Sequence, residues 1–245
     1  MVGGGRARVS DALPAVDGEE VARRLDGVRR RIAAAAADPS SVRIVAVTTG
    51  FGVDAVVAAR AAGLDDIGEN YADELVAKAG AVGAPSPTWH FLGAVQRNKV
   101  ARLAPVVSWW QAVSRIEEGR AIARRAPGST VLVQVDLAGL PGRGGVAPAQ
   151  VPELVAALRD EDLAVAGLMA VGPPGPAEGA RRGFALVSSL ADRLSLPVRS
   201  MGMTDDLEVA VSEGSTMVRL GRALFGARPV RPPASHPPPE PRTTL

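Results

Sequence analysis

Between residues 43 and 220 the chain alternates short apolar runs with amphipathic helical stretches, and this alternation limits the possible folds more than any other feature. Apolar strand candidates fall at 43–48, 65–68, 88–92, 106–110, 130–136, 163–171, 197–200 and 216–220. Helical periodicity fills the intervals at 52–63, 70–80, 96–104, 114–126, 148–159, 176–193 and 205–213. Strands separated by helices pair in parallel, because each crossover returns the chain to the same end of the sheet. Eight such units are the number that closes a (β/α)8 barrel of the TIM type. An open, doubly wound α/β sheet is the alternative. A further helix precedes the first strand over 17–37. There Asp17 followed by Glu20 matches a capping box, and Val21, Leu25, Val28 and Ile32 share one face. There is no internal repeat.

The 245 residues suffice for one barrel. The expected organisation is a flexible N-terminus over 1–13, one barrel domain over 14–228, and a disordered tail over 229–245, where seven prolines fall. The net charge is only +2, and positive charge is carried by Arg, since Lys78 and Lys99 are the two lysines. With no basic run interleaved with aromatics, nucleic-acid binding is not expected. Arg24, Arg29, Arg30 and Arg31 read as a solvated helix face. The absence of cysteine excludes disulfides, thiolate metal sites and a Cys nucleophile. Residues 1–8 lack the apolar core of a signal peptide, and no apolar run reaches membrane-spanning length. A cytoplasmic location without membrane contact is the expectation.

In such barrels the working face lies at the C-terminal ends of the strands. Thr49 ends the first strand candidate, Asn70 follows the second and Gly93 the third. Met201 to Thr204 follow the seventh, and Arg219 to Arg222 the eighth. Gly202 allows close backbone approach, Thr204 or Asp205 opens a helix, and Gly221 opens another over 221–225. Two helix starts in one corner would attract an anion, although either loop alone also reads as a capped turn. Arg219 is either a fixed cation in the site or a tie to a neighbouring carboxylate. Asn70 doubles as an N-cap for a helix starting at Tyr71. Lys99, about a turn into a helix, reads as structural. His90 reads as a hydrogen-bonded structural residue, which leaves a Ser-His-Asp hydrolase poorly supported. His236 falls in the tail, so no pair of histidines has metal-ligand spacing. Gly3-Gly4-Gly5 follows no strand and is not a nucleotide loop.

Several segments occur together in one order: Val45-Ala46-Val47-Thr48-Thr49-Gly50, Gly68-Glu69-Asn70, Trp89-His90-Phe91-Leu92-Gly93, Gln96-Arg97-Asn98-Lys99, Gly167-Leu168-Met169-Ala170, Met201-Gly202-Met203-Thr204-Asp205-Asp206, Val218-Arg219-Leu220-Gly221 and Phe225-Gly226-Ala227-Arg228. In these the chain resembles the YggS/PROSC family of pyridoxal 5′-phosphate (PLP) homeostasis proteins over about residues 16–228. The resemblance implies an alanine racemase-type barrel with an extra first helix. It also implies a cofactor site at Thr49, Asn70, Met203, Thr204, Arg219, Gly221 and Arg222. The family holds PLP as an imine on a lysine, and Thr49 stands at that position; a hydroxyl cannot form an imine. Arg222 stands where the family has a phosphate-binding threonine, and Ala94 where it has polar residues or glycine. Arg219 matches an arginine facing the pyridine nitrogen. Its permanent charge opposes protonation of that nitrogen and so disfavours carbanion chemistry.

The resemblance thus implies a non-catalytic, monomeric binder of PLP or a related B6 vitamer. The vitamer would be held non-covalently and passed on in transient contacts with PLP-dependent apo-enzymes. A degenerate member that has lost PLP and acts through protein contacts is the alternative. A racemase would need the missing lysine, an opposing acid/base and a second β domain.

Overall fold

The computed structural model describes residues 15–139 and 144–228. The expected flexible N-terminus and proline-rich tail lie outside the described residues. Helix α1 (Gly18–Ala35) leads into β1 (Arg43–Val47), α2 (Val53–Ala61), β2 (Asp66–Glu69), α3 (Ala72–Val82), β3 (Thr88–Phe91) and α4 (Arg97–Leu103). Then come β4 (Trp109–Val113), α5 (Ile116–Ala123), β5 (Thr130–Val135), α6 (Val151–Asp160) and β6 (Ala164–Ala170). The domain closes with α7 (Arg181–Arg193), β7 (Val198–Ser200), α8 (Leu207–Ser212), β8 (Met217–Leu220) and α9 (Arg222–Phe225). The strands form a closed barrel in sequence order, and β8 pairs with β1 in parallel with Arg219 opposite Val45. Closure leaves no sheet edge, which decides against the open sheet.

Successive strand residues face opposite sides, so each strand serves two environments. The outward set, including Ala46, Ile67, Trp89, Phe91, Trp110, Val131, Val133, Leu168, Val218 and Leu220, packs against the helices in one continuous core. The inward set is different. It has a small apolar cluster of Ala112, Leu132 and Met169, and beside it the buried polar residues His90, Gln111, Ser200 and Arg219; a register irregularity in β4 between Trp110 and Val113 breaks the alternation at Gln111 and Ala112.

Helix α1 buries the face expected of it, Val21, Leu25, Val28 and Ile32, each stabilising the fold by roughly 1.5–3 kcal/mol. Its cap is simpler than a capping box. Asp17 Oδ1 accepts from the Glu19 and Glu20 N–H groups, but the Glu20 carboxylate turns to Arg23 and Arg24. The fourth strand begins three residues later than the apolar run 106–110 suggests. The N–H groups of Val106 and Val107 both return to Leu103 O and finish the turn after α4, so these valines cannot join the ladder. Asn70 is not an N-cap either: α3 starts after Tyr71, and the Asn70 amide is engaged elsewhere. No helix among the described residues is long and apolar enough to cross a membrane.

Candidate functional site

The C-terminal ends of the strands surround a cavity of about 670 Å³, lined by Val47, Asn70, Leu92, Met169, Met203 to Asp206, Arg219, Gly221, Arg222 and Arg228, among others. Six of the residues expected from the sequence therefore meet in one place: Asn70, Met203, Thr204, Arg219, Gly221 and Arg222.

Arg219 forms the floor. Its strand position turns it inward between β7 and β1, and its Nη1 donates to Ser200 O at 2.6 Å and Ser200 Oγ at 2.7 Å. Its Nη2 donates to Ala170 O at 2.8 Å. These partners are neutral; no carboxylate among the described residues forms an ion pair with it. Burial pushes its pKa down to about 10, opposed by the charge of Asp206. It remains a cation at neutral pH, held in a site that desolvates it.

The loop after β7 is shaped by Gly202. Its φ of +93° is a conformation that favours glycine, and a Cβ there would lie 2.6 Å from the Ala210 Cβ. A turn at 204–206 separates Thr204 from α8, which starts only at Leu207. The expected helix start at Thr204 or Asp205 is thus displaced. With α8 six residues long and α9 four, the helix dipoles available here are small. What the corner offers instead is specific groups. Thr204 Oγ1 accepts from the Ala223 N–H at 3.1 Å, so its proton is left to donate to something else. The Arg222 guanidinium pairs with Asp205 at the mouth. Helix α1 braces the loop from behind, where Arg31 donates to Thr204 O at 2.9 Å and to Glu208 Oε1 at 2.5 Å. Arg31 therefore does more than solvate a helix face.

Thr49 sits apart from this lining. It is 2% exposed; its hydroxyl donates to Glu69 Oε2 at 2.8 Å and accepts from Asn70 N at 2.9 Å and Asn70 Nδ2 at 3.1 Å. The other Glu69 oxygen takes Thr48 Oγ1 and Lys78 Nζ, each at 2.5 Å. Lys78 Nζ also donates to Thr48 O at 2.8 Å. Thr49 and Lys78 line a second cavity of about 500 Å³, with Phe51, Tyr71, Glu74 and Arg228. Glu69 and Lys78 were not singled out from the sequence, although a glutamate ending an apolar strand, nine residues before one of only two lysines, was a usable signal.

His90 fits its structural reading. It is fully buried, with Nε2 2.8 Å from Asp66 Oδ1 and Nδ1 2.7 Å from Gln111 Nε2. Burial holds its imidazole below the ordinary range, against the pull of Asp66. Lys99 lies on the outside, 3.8 Å from Asp73. No group of metal-ligating side chains occurs among the described residues.

Residues 16–229 match the family model described as alanine racemase, N-terminal domain. The pyridoxal phosphate homeostasis protein of Pseudomonas aeruginosa is 37% identical over 225 residues, covering 89% of this chain and 98% of the relative. That of Escherichia coli K12 is 31% identical over 229 residues, covering 85% and 97%. PipY of Synechococcus elongatus, solved with PLP bound, is 30% identical, with a TM-score of 0.72 over 84% of this chain and all of PipY (100%). Fold and cavity together define an alanine racemase-like (β/α)8 barrel with a cavity at the C-terminal rim. Within that class the chain belongs to the YggS/PROSC family of pyridoxal phosphate homeostasis proteins.

Proposed function

We propose that this protein is a non-catalytic PLP binder of intracellular vitamin B6 homeostasis, which holds PLP or a related vitamer without a covalent bond. The observation that carries the reading is Arg219, a buried cation on a cavity floor with only neutral hydrogen-bond partners. A ligand that brings an acceptor there meets a charge already desolvated and oriented. The cavity volume of about 670 Å³ lies within the roughly 300–1,000 Å³ of small-molecule sites.

The residues present fit PLP. Arg219 would face the ring, Thr204 and the Gly221–Arg222 backbone would hold the phosphate, and Asn70 and Met203 would complete the walls. When bound, PLP supplies an aldehyde and an electron-withdrawing ring. This chain's own groups bind and orient. Thr49, at the position the resemblance assigns to the imine lysine, has no amine, and its hydroxyl is committed to Glu69 and Asn70. Lys78 is ion-paired to Glu69, which ties up the lone pair an attack would require. A monomeric chain in the cytoplasm, passing the vitamer to apo-enzymes, is consistent with this role.

The test combines PLP titration with borohydride reduction and intact mass. Saturable binding, with vitamer released by acid and no pyridoxyl adduct, is expected. Thr49→Lys, alone or with Arg222→Thr, is expected to gain the adduct at residue 49. A stoichiometric adduct on Lys78 or Lys99 of the unaltered chain would overturn the non-covalent reading. A second reading, contact with another protein, draws on the exposed apolar side chains of Val53, Val57 and Tyr71 beside the second cavity. It replaces the first if PLP fails to bind at all.

A further inference from the structure

The barrel interior contains a file of polar side chains that ligand contact alone does not explain. Arg219 Nη1 meets Ser200 Oγ at 2.7 Å, and Ser200 Oγ meets Gln111 Oε1 at 2.7 Å. Gln111 Nε2 meets His90 Nδ1 at 2.7 Å, and His90 Nε2 meets Asp66 Oδ1 at 2.8 Å. Arg43, at the start of β1, binds the same Asp66 oxygen at 2.5 Å. The file therefore runs from the cavity floor to the opposite end of the barrel.

Donor chemistry assigns its direction. A guanidinium can only donate, so Ser200 Oγ accepts from Arg219 and sends its own proton to the Gln111 amide oxygen. That orientation turns the Gln111 NH2 toward His90 and makes Nδ1 the acceptor. The ring proton then sits on Nε2 and donates to the Asp66 carboxylate. Every donor points the same way, from a buried cation to a carboxylate. His90, Gln111 and Ser200 are each 0% exposed, so the intact file is closed to bulk water.

We propose that Gln111 and Ser200 are positioning residues for Arg219, and that His90 couples the guanidinium to Asp66 and Arg43 at the far end of the barrel. The proposal deepens the B6-binding reading, and only its ligand measurement rests on it. Protonation of His90 would make Nδ1 a donor. Gln111 would then have to present its oxygen to the ring and its NH2 to Ser200. Ser200 would receive donors from both sides, its own proton would lose its acceptor, and the file would break beside Arg219. The groups facing His90 are Asp66 of β2, Arg43 of β1, Gln111 of β4 and the Trp109 ring, which stacks on the imidazole at 5.5 Å and has the Arg43 guanidinium 5.1 Å from its centroid. Burial keeps the imidazole neutral at neutral pH, so the break belongs to acidic solution.

Nitrogen NMR of the Arg219 guanidinium and the His90 ring tests this on the full chain without ligand. In the unaltered protein the Arg219 signal should titrate with the His90 midpoint, below pH 6.5. Gln111→Met, which keeps the length but removes both amide functions, should abolish that link and speed Arg219 N–H exchange by roughly tenfold. Ser200→Ala should do the same and serves if Gln111→Met does not fold. An Arg219 signal indifferent to His90 protonation overturns the proposal, as does unchanged exchange in a folded variant. In parallel, Gln111→Met should weaken PLP binding by roughly tenfold. If the unaltered protein binds no PLP, the B6 reading fails, while the NMR result still decides on the file.

Discussion

At the rim where β1 and β2 end, the buried carboxylate of Glu69 has an ammonium beside it and two hydroxyls on it. At the rim where β7 and β8 end, the buried guanidinium of Arg219 has two carbonyls and one hydroxyl, and its nearest opposing charge, Asp206, acts only from a distance. The two rims belong to one barrel and hold charges of similar burial. The first is electrically closed within the protein. The second has only neutral hydrogen-bond partners among the described residues. A buried charge left with dipoles alone costs stability unless it is compensated, and the proposed binding on the β7–β8 side rests on this asymmetry.

The comparison breaks most forcefully at Lys78, whose side chain is 8% exposed against 0% for Glu69. Lys78→Met should lower the unfolding free energy by about 3–5 kcal/mol, because it strands a buried carboxylate. Adding Glu69→Gln should return part of that loss. Denaturant melts of the single and double variants measure it, and a single-variant loss under about 1 kcal/mol would mean that the rim is not closed by charge. Arg219→Met should behave differently. PLP affinity should fall by about 2 kcal/mol, roughly thirtyfold, while unfolding shifts less than with Lys78→Met, since an uncompensated charge leaves the interior. Equal stability losses at the two sites would erase the distinction.

The smallest effect is that of pH on the interior between the rims. His90 is held below its ordinary 6.5 by burial. The unfolded chain therefore binds the proton first as pH falls, and the stability contributed by neutral His90 is present above 6.5 and declines below it. A decline in stability on acidification from neutral is therefore expected. Thermal melts against pH should show it, with a flatter profile for His90→Gln. Asp66 adds a lower window. Burial alone would raise its carboxyl, but the bond with His90 and the charge of Arg43 outweigh that and hold it below 3.8.

Much of the barrel was legible because parallel strands covered on the outside by helices carry dense apolar runs. The fourth strand was misplaced because Val106 and Val107 look like strand residues, whereas their N–H groups close the helix before it. The cavity residues on the loops after β7 and β8 were legible as well, because two such loops coincide at successive strand ends and match the resembled family, although either alone also reads as a capped turn. The sealing of Thr49 was not. It depends on a glutamate twenty residues away becoming an immediate neighbour through β1–β2 pairing, and on a helical lysine turning inward to meet it.

What the sequence determined by itself was the number and order of layers, because hydrophobic periodicity is local and survives any rearrangement of distant parts. It also determined that no amine stands at residue 49. Tertiary structure alone decided which polar groups share a hydrogen bond across the barrel. Gln111 of β4 and Ser200 of β7 are 89 residues apart in the chain and 2.7 Å apart in space. Only the tertiary fold brings strands so far apart in sequence that close, and the partners of Arg219 on β6 and β7 became visible only through the pairing of β6, β7 and β8.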